Sequence, residues 1–370
     1  MSKQNLIGVG VLIVIALVIG VIETSKPNQA NLAAQEIVLD ANERTAQKEQ
    51  KYERAKEITT PDGFINTEPI NIEEHIGKKV ILVDFWTYSC INCQRTLPHL
   101  TAWDEKYRDD GLLIIGLHTP EFEFEKDYGN VVRATEKWGV DYPVVLDNDY
   151  STWRAYKNRY WPRKYLIDID GFIVYDHIGE GAYEETEEKI VELLNERRAV
   201  LGEDGVVSVE EGEVDEDKVD FSQVGTRETY LGSARVEYLL NLPRIACLSD
   251  SCEYSFTNNQ NIRGYELDGM WHMHEEHVLL EEAGGKLRIA FTANKVNLVA
   301  GNEFPVRARI TIDGEPVNET NAGTHVEDGI VTFQEHDLYN LIDLGGNYES
   351  HILEIEFLDG GVSAFAFTFG

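Results

Sequence analysis

The spacing of apolar residues changes character several times along the chain. Leu6 to Ile22 is an uncharged apolar run, at the short end of the roughly 17–25 residues that a membrane-spanning helix needs. Asn28 to Lys56 is charged and rich in Ala, Glu, Gln and Lys, with no Gly or Pro, which predicts a helical or disordered stalk. Short apolar runs then alternate with stretches of helical spacing. Val80 to Val83 reads as a strand covered on both faces, running on to Trp86. Cys90 to Tyr107 follows as a helix and Leu112 to Leu117 as a strand. Glu125 to Trp138 is a helix stopped by Gly139, Pro143 to Leu146 a strand and Tyr150 to Tyr156 a short helix. Lys164 to Ile169 is a strand that turns at Asp170-Gly171 into Phe172 to Tyr175, and Tyr183 to Val200 closes the unit as a helix. This order predicts an α/β domain with a mixed sheet flanked by helices.

Beyond residue 221 the period becomes two. Leu287, Ile289 and Phe291 alternate with smaller or more polar neighbours, and Val306, Ala308, Ile310 and Ile312 alternate with Arg307, Arg309 and Thr311. Leu353, Ile355 and Phe357 alternate with Glu354 and Glu356, and Phe365, Phe367 and Phe369 end the pattern. Asp313-Gly314, Asp328-Gly329 and Asp359-Gly-Gly361 mark turns between them. The reading is an antiparallel β-sandwich or jelly roll. The expected organisation is a single-span signal anchor at 1–23, a stalk at 24–56, the α/β domain at 57–201, an acidic linker at 202–221 and the all-β domain at 222–370.

The net charge of −33 over 370 residues argues against nucleic acid, whose phosphates such a surface repels. Residues 201–370 carry 32 acidic and 10 basic side chains, against 34 and 23 in the first 200, which supports a change of domain. Lys3 and the amino terminus place positive charge before the apolar run, so the N-terminus is expected in the cytoplasm and the rest outside. Glu23-Thr-Ser-Lys-Pro27 lacks the small-x-small pattern of a cleavage site, and Ala30-Asn-Leu-Ala33 is a late alternative; the uncleaved anchor is favoured. Four cysteines in two close pairs suit an oxidising compartment.

Cys90 and Cys93 stand where the buried strand meets the helix. Unpaired N–H groups and the positive dipole end at a helix start favour a thiolate at Cys90. Cys93 is close enough to resolve a mixed disulfide. Asp84, six residues before Cys90 in an apolar strand, is a candidate proton exchanger for Cys93. A zinc site needs two further ligands, and the nearest His, His99, lies beyond Pro98; no metal is expected. Asp84-Phe-Trp-x-x-x-Cys-x-x-Cys93, Pro98 within the helix and Trp161-Pro162 before a strand, where a cis proline fits, resemble the thioredoxin superfamily. Thr87-x-x-Cys90 also resembles the peroxidatic loop of peroxiredoxins, although Val83 stands where that family has proline. A thiol peroxidase using Cys90 is therefore an alternative.

The resemblance extends over about 140 residues. Thr87-Tyr-Ser-Cys-Ile-Asn-Cys, Gly116-Leu-His-Thr-Pro-Glu-Phe-Glu-Phe-Glu125, Leu146-Asp-Asn-Asp-Tyr150, Asn158-Arg-Tyr-Trp-Pro-Arg-Lys-Tyr-Leu-Ile-Asp168 and Gly179-Glu-Gly-Ala-Tyr183 are similar to the redoxin region of DipZ-type proteins, relatives of TlpA and ResA. The resemblance implies a thiol–disulfide oxidoreductase that needs no cofactor beyond a Cys90–Cys93 disulfide. It implies extracytoplasmic protein disulfides as substrates and a substrate groove formed by Trp86, Tyr88, Trp161 and Pro162. DipZ proteins carry a multi-helix electron-importing domain, and only one span is expected here, so a separate membrane donor of the CcdA/DsbD type is implied. Thr96 stands where some ResA-like proteins place a glutamate, which leaves Asp84 or Glu121 for acid–base work. The ending Ala364-Phe-Ala-Phe-Thr-Phe-Gly370 resembles the DipZ C-terminal domain, similar to a carbohydrate-binding module, which implies an envelope glycan or protein ligand. A non-catalytic alternative is such a binding module with a secondary redox domain. Within it, Cys247 and Cys252 suit either a structural disulfide, stabilising by about 2 kcal/mol, or a second redox relay. In Trp271-His-Met-His-Glu-Glu-His277, residues His272, His274 and Glu276 would share one strand face, as an exposed polar face or a metal trio; the role of His277 is left open.

Overall fold

The computed structural model describes residues 41–209, 214, 218–242, 247, 251–259 and 261–370. The expected anchor at 1–23, the start of the stalk and part of the acidic linker lie outside the described residues. No described helix is long and apolar enough to cross a membrane.

The first domain is built on a seven-stranded sheet that runs from the edge strand β1 (Glu53–Arg54) through β7, β6, β3, β4 and β5 to the edge strand β2 (Gly63–Ile65). Strands β3 (Val80–Trp86), β4 (Leu112–His118) and β5 (Val144–Leu146) run parallel. Strand β6 (Arg163–Ile167) runs against β3, and β7 (Phe172–Ile178), antiparallel to β6, runs the same way as β3. The sheet is therefore mixed, and all seven residues of β3 are buried, because helices cover both of its faces. Helices Ile91–Tyr107 and Tyr183–Leu201 pack with Leu82, Leu97, Leu100, Ile190 and Leu194 in one core cluster. Ile81, Val83, Phe85, Trp153 and Ile167 form the cluster on the opposite face.

Two expectations about local structure need correction. The predicted helix at Glu125 to Trp138 is split: a short turn at Glu123–Lys126 precedes the helix Tyr128–Trp138. Asp127 separates them, and its carboxylate accepts the Asn130 N–H at 2.9 Å as a helix cap. The stalk is also shorter than anticipated. Helix α1 (Ala41–Lys48) and strand β1 (Glu53–Arg54) belong to the α/β domain, β1 pairing with β7. Lys48 Nζ reaches Asp168 at 2.6 Å, Asp170 at 2.8 Å and Glu196 at 2.5 Å. Arg44 holds Asp170 through two nitrogens at 2.6 and 2.7 Å. Sequence spacing could not show this, because the three carboxylates come from a turn and a helix more than 100 residues away.

The second domain is a large all-β sheet of thirteen strands, in which β10 (Tyr265–Met273) is the shared element. Its first half pairs with β12 (Lys286–Ala293) and its second half with β9 (Ser251–Tyr254) and β11 (Val278–Leu280). The change falls at Gly269, whose φ of +97° suits only glycine. Leu287, Ile355 and Phe357 from one half share an apolar core with Trp271, Leu298 and Phe367 from the other. The Asp313-Gly314 and Asp328-Gly329 turns have positive φ at both residues, the geometry that joins neighbouring antiparallel strands tightly.

Lys48→Met should leave three clustered carboxylates without their ammonium and lower stability by about 2 kcal/mol. A urea midpoint equal to that of the wild type would mean that α1 does not brace the domain.

Candidate active site

Cys90 caps the helix Ile91–Tyr107, and its Sγ accepts the Cys93 N–H at 3.4 Å. That donor and the helix N-terminus both favour negative charge on the sulfur. Cys90 is half-buried and Cys93 is buried, both as free thiols. Burial, with Cys90 beside it, pushes the Cys93 thiol well above its ordinary range. An accessible sulfur is thus held over a buried one.

Behind them, Asp84 is opposite Gly116 on β4 and Lys164 on β6, so the carboxyl and the ammonium are cross-strand neighbours on one face. Both are buried, at 1 % and 0 % exposure. Burial pushes the Asp84 carboxyl up to about 7 against the opposing pull of Lys164, and it pushes the Lys164 ammonium down. Oδ1 of Asp84 has no hydrogen-bond partner among the described residues. A carboxyl in that state exchanges a proton near neutral pH. Gly116 allows the site to close: a Cβ there would lie 2.9 Å from Trp86 Nε1 and 3.2 Å from the Tyr142 ring.

The Trp161–Pro162 peptide is cis, and Pro162 is buried. Trp161 is pinned locally, its Nε1 donating to Thr119 O at 2.9 Å and its ring 4.2 Å from that of Trp153. Trp86 and Tyr88, anticipated as groove residues, are instead buried at 0 % and 3 % exposure. The Tyr88 hydroxyl donates to the His336 carbonyl of the β domain at 3.1 Å, so that domain covers the ring. Glu121 is also elsewhere than expected. Its Oε1 accepts from Tyr230 and Arg235 of the β domain, each at 2.7 Å. Thr96 is buried and its hydroxyl donates to Asn92 O at 2.9 Å.

The buried carboxyl near the nucleophile loop is Glu125. Ser89 Oγ, next to Cys90, donates to it at 2.6 Å, and the Phe122 N–H donates at 2.9 Å. Burial pushes its carboxyl up to about 7. His118 is fully buried beneath the same loop, driven down to about 3 by burial, with Nε2 3.4 Å from Thr87 Oγ1. Sequence reading missed Lys164, Glu125 and His118. A lysine two places after the proline in an apolar strand was the available signal for Lys164; Glu125 and His118 stood only within the Gly116–Glu125 stretch that carries the resemblance.

In the β domain, Cys247 and Cys252 form a disulfide with Cα atoms 5.7 Å apart. The histidine cluster does not lie on one strand face. Strand β10 ends at Met273, and the His274 N–H donates to His277 O at 2.8 Å, closing a turn. The His272 and His274 rings stack at 4.2 Å, those of His274 and His277 at 4.5 Å. Glu276 turns away and accepts the Glu123 N–H of the α/β domain at 2.8 Å. Among the described residues, the grouping of potential metal-ligand side chains is Asp168, Asp170 and Glu196, which already surrounds Lys48.

A mixed α/β sheet, a Cys-x-x-Cys pair at a helix cap, a buried carboxyl behind it and a cis proline define a thioredoxin-like redox protein. Residues 52–176 match the AhpC/TSA family and residues 226–370 match the Thioredoxin like C-terminal domain. Protein DipZ of Mycobacterium tuberculosis is 32 % identical over 321 residues, 84 % of this chain and 43 % of its own length. The chain thus spans less than half of that relative. Thiol-disulfide oxidoreductase ResA of Halalkalibacterium halodurans is 33 % identical over 127 residues, 34 % of this chain and 68 % of its own. Thiol-disulfide oxidoreductase YkuV of Bacillus subtilis is 27 % identical over 140 residues, 38 % of this chain and 93 % of its own. The chain belongs to the thioredoxin-like family of thiol-disulfide oxidoreductase ResA.

Lys164→Met removes the charge that holds the Asp84 carboxyl down, so its titration midpoint should rise further above about 7. Carboxyl ¹³C chemical shifts followed against pH would read this, and an unmoved midpoint would contradict the pairing.

Proposed function

We propose that this chain is a membrane-anchored, extracytoplasmic reductase of protein disulfides. The observation that carries this reading is the pairing of a half-buried Cys90, capped by the Cys93 N–H, with a buried Cys93 beside Asp84. The Cys90 thiolate attacks one sulfur of a substrate disulfide. A mixed disulfide forms, and the other substrate sulfur leaves as a thiolate that takes up a proton. Asp84, ionised, accepts the Cys93 proton. The Cys93 thiolate then attacks Cys90 Sγ, releases the second substrate thiol and leaves a Cys90–Cys93 disulfide. Two electrons have moved to the substrate. The Cys90–Cys93 disulfide is then reduced again by a membrane donor of the CcdA/DsbD type. Pro162 shapes the surface where the substrate strand lies, with Trp161 fixed beside it.

The all-β domain reads as a two-leaved sandwich of jelly-roll type that binds an envelope glycan or protein. Its shared strand β10 and common core support that reading. The match to the AhpC/TSA family favours a second reading, a thiol peroxidase. It requires peroxide consumption with sulfenic acid at Cys90. Val83, where that family has proline, and the cis Pro162 favour disulfide exchange over it.

The reduction potential of Cys90/Cys93, equilibrated in thiol–disulfide buffers, should fall near that of thioredoxin, about −270 mV. A value near about −120 mV would identify a disulfide-forming oxidant and end the reductase reading. Asp84→Asn should slow release from the mixed disulfide by about 100-fold at pH 8. The sign follows from the raised carboxyl: the wild-type rate climbs as pH rises through about 7, where Asp84 ionises, and the variant loses that step. An unchanged profile in stopped-flow assays would remove Asp84 from the mechanism.

A further inference from the structure

Phe365 breaks the alternation of its own strand. In β20 (Ser363–Phe369) Ala364 pairs with Ala300 and Ala366 with Val299, consecutive residues of β13 (Lys295–Gly301). One extra residue, Phe365, is therefore bulged out of register. Such a bulge re-aims a side chain. Phe367 and Phe369 stay in the β-domain core, whereas Phe365 joins a separate cluster with Phe122, Val299, Leu338 and Ala366. Phe124 and Ile91, the residue after Cys90, pack against that cluster from the α/β domain. The Phe365 ring lies 5.2 Å from that of Phe122 and 4.7 Å from that of Phe124. His336 stacks on Phe124 at 4.9 Å and meets Phe365 edge-on at 5.7 Å.

The segment 119–126 that receives these rings is tied to both halves of the redox site. Its Glu125 carboxylate accepts from Ser89, adjacent to Cys90. Its Thr119 carbonyl accepts from Trp161, adjacent to Pro162. At its outer edge Glu121 is gripped by Tyr230 and Arg235, and the Glu123 N–H by Glu276. A further link bypasses the segment, from the Tyr88 hydroxyl to His336 O. The β domain thus touches the segment that braces the nucleophile loop and the loop itself.

We propose that the β domain is part of the redox site: the bulged Phe365, seated on Phe122 and Phe124, positions Glu125 against Ser89 and thereby holds Cys90 at its helix cap. This rests on Cys90 being the reactive thiol, and not on the direction of its redox chemistry. Phe365, Phe124 and Glu125 act through Ser89 and are positioning residues. When the docking is weakened, the Cys93 N–H no longer points steadily at Cys90 Sγ, and the thiolate loses its donor.

The test is a double-mutant cycle on the full chain between Phe365→Ala and Ser89→Ala, residues on different domains that share no contact. The reading is the rate of Cys90 alkylation by iodoacetamide against pH, Cys93 being buried. Each single variant should slow alkylation at pH 7 about fivefold and move the profile to higher pH, a coupling on the order of 1 kcal/mol. The double variant should be no slower than the slower single, and Phe365→Leu should restore the wild-type profile. If Phe365→Ala does not fold by circular dichroism, His336→Ala, which strips the other ring from Phe124, takes its place. The proposal is overturned if the β-domain variant leaves the profile superimposable on the wild type, or if the two effects multiply in the double variant. Loss of substrate turnover with the alkylation cycle intact would count against the proposed reductase activity and leave this coupling standing.

Discussion

Burying a carboxyl and a thiol together in the centre of a sheet is the constraint on which the rest of this site depends. Asp84 and Cys93 are almost fully excluded from water, and each on its own would resist carrying charge there. Lys164 offsets part of that cost from the neighbouring strand without contacting Asp84 closely enough for an ion pair. The carboxyl is therefore poised near neutrality instead of being locked in either state. The half-buried Cys90 stands apart from that pair, at the helix cap with the Cys93 N–H directed at its sulfur. The two sulfurs differ by environment, Cys90 half-buried at the helix cap and Cys93 fully buried, and the proposed attacking and resolving roles rest on that difference.

Around this centre the α/β domain is held at both ends. On one side Lys48 and Arg44 of α1 gather three carboxylates from the Asp168–Asp170 turn and the last helix. The chain thus enters the domain through an ionic clasp. On the other side the segment 119–126 meets the β domain with Phe122, Phe124 and the half-buried Glu121. Isolated surface ion pairs such as Arg133–Glu335 add little to this contact. The apolar cluster around Phe365 and the hydrogen bonds to Glu121 carry it. The β domain is in this way joined directly to the loop that carries Cys90.

Much of this was legible in the chain because it is encoded locally. The run Val80 to Val83 has nowhere to go but a doubly covered strand, and Cys90, Cys93 and Pro98 place the cap and the helix by spacing alone. Asp84 stood out as a carboxyl in apolar company. Trp161-Pro162 marked the cis peptide, and the two-residue period of Val306 to Ile312 and Leu353 to Phe357 announced antiparallel strands. Each of these depends on residues within one element. What the tertiary structure decided depends on which elements meet. Lys164 matters because register sets it across from Asp84, 80 residues away. Glu125, not Glu121, reaches the nucleophile loop because a short turn aims one inward while Arg235 captures the other. Glu276 leaves the histidine strand because the chain turns at 274–277. Phe365 leaves the core because one extra residue in β20 reverses its direction, and alternation read along a single strand contains no term for a partner's register.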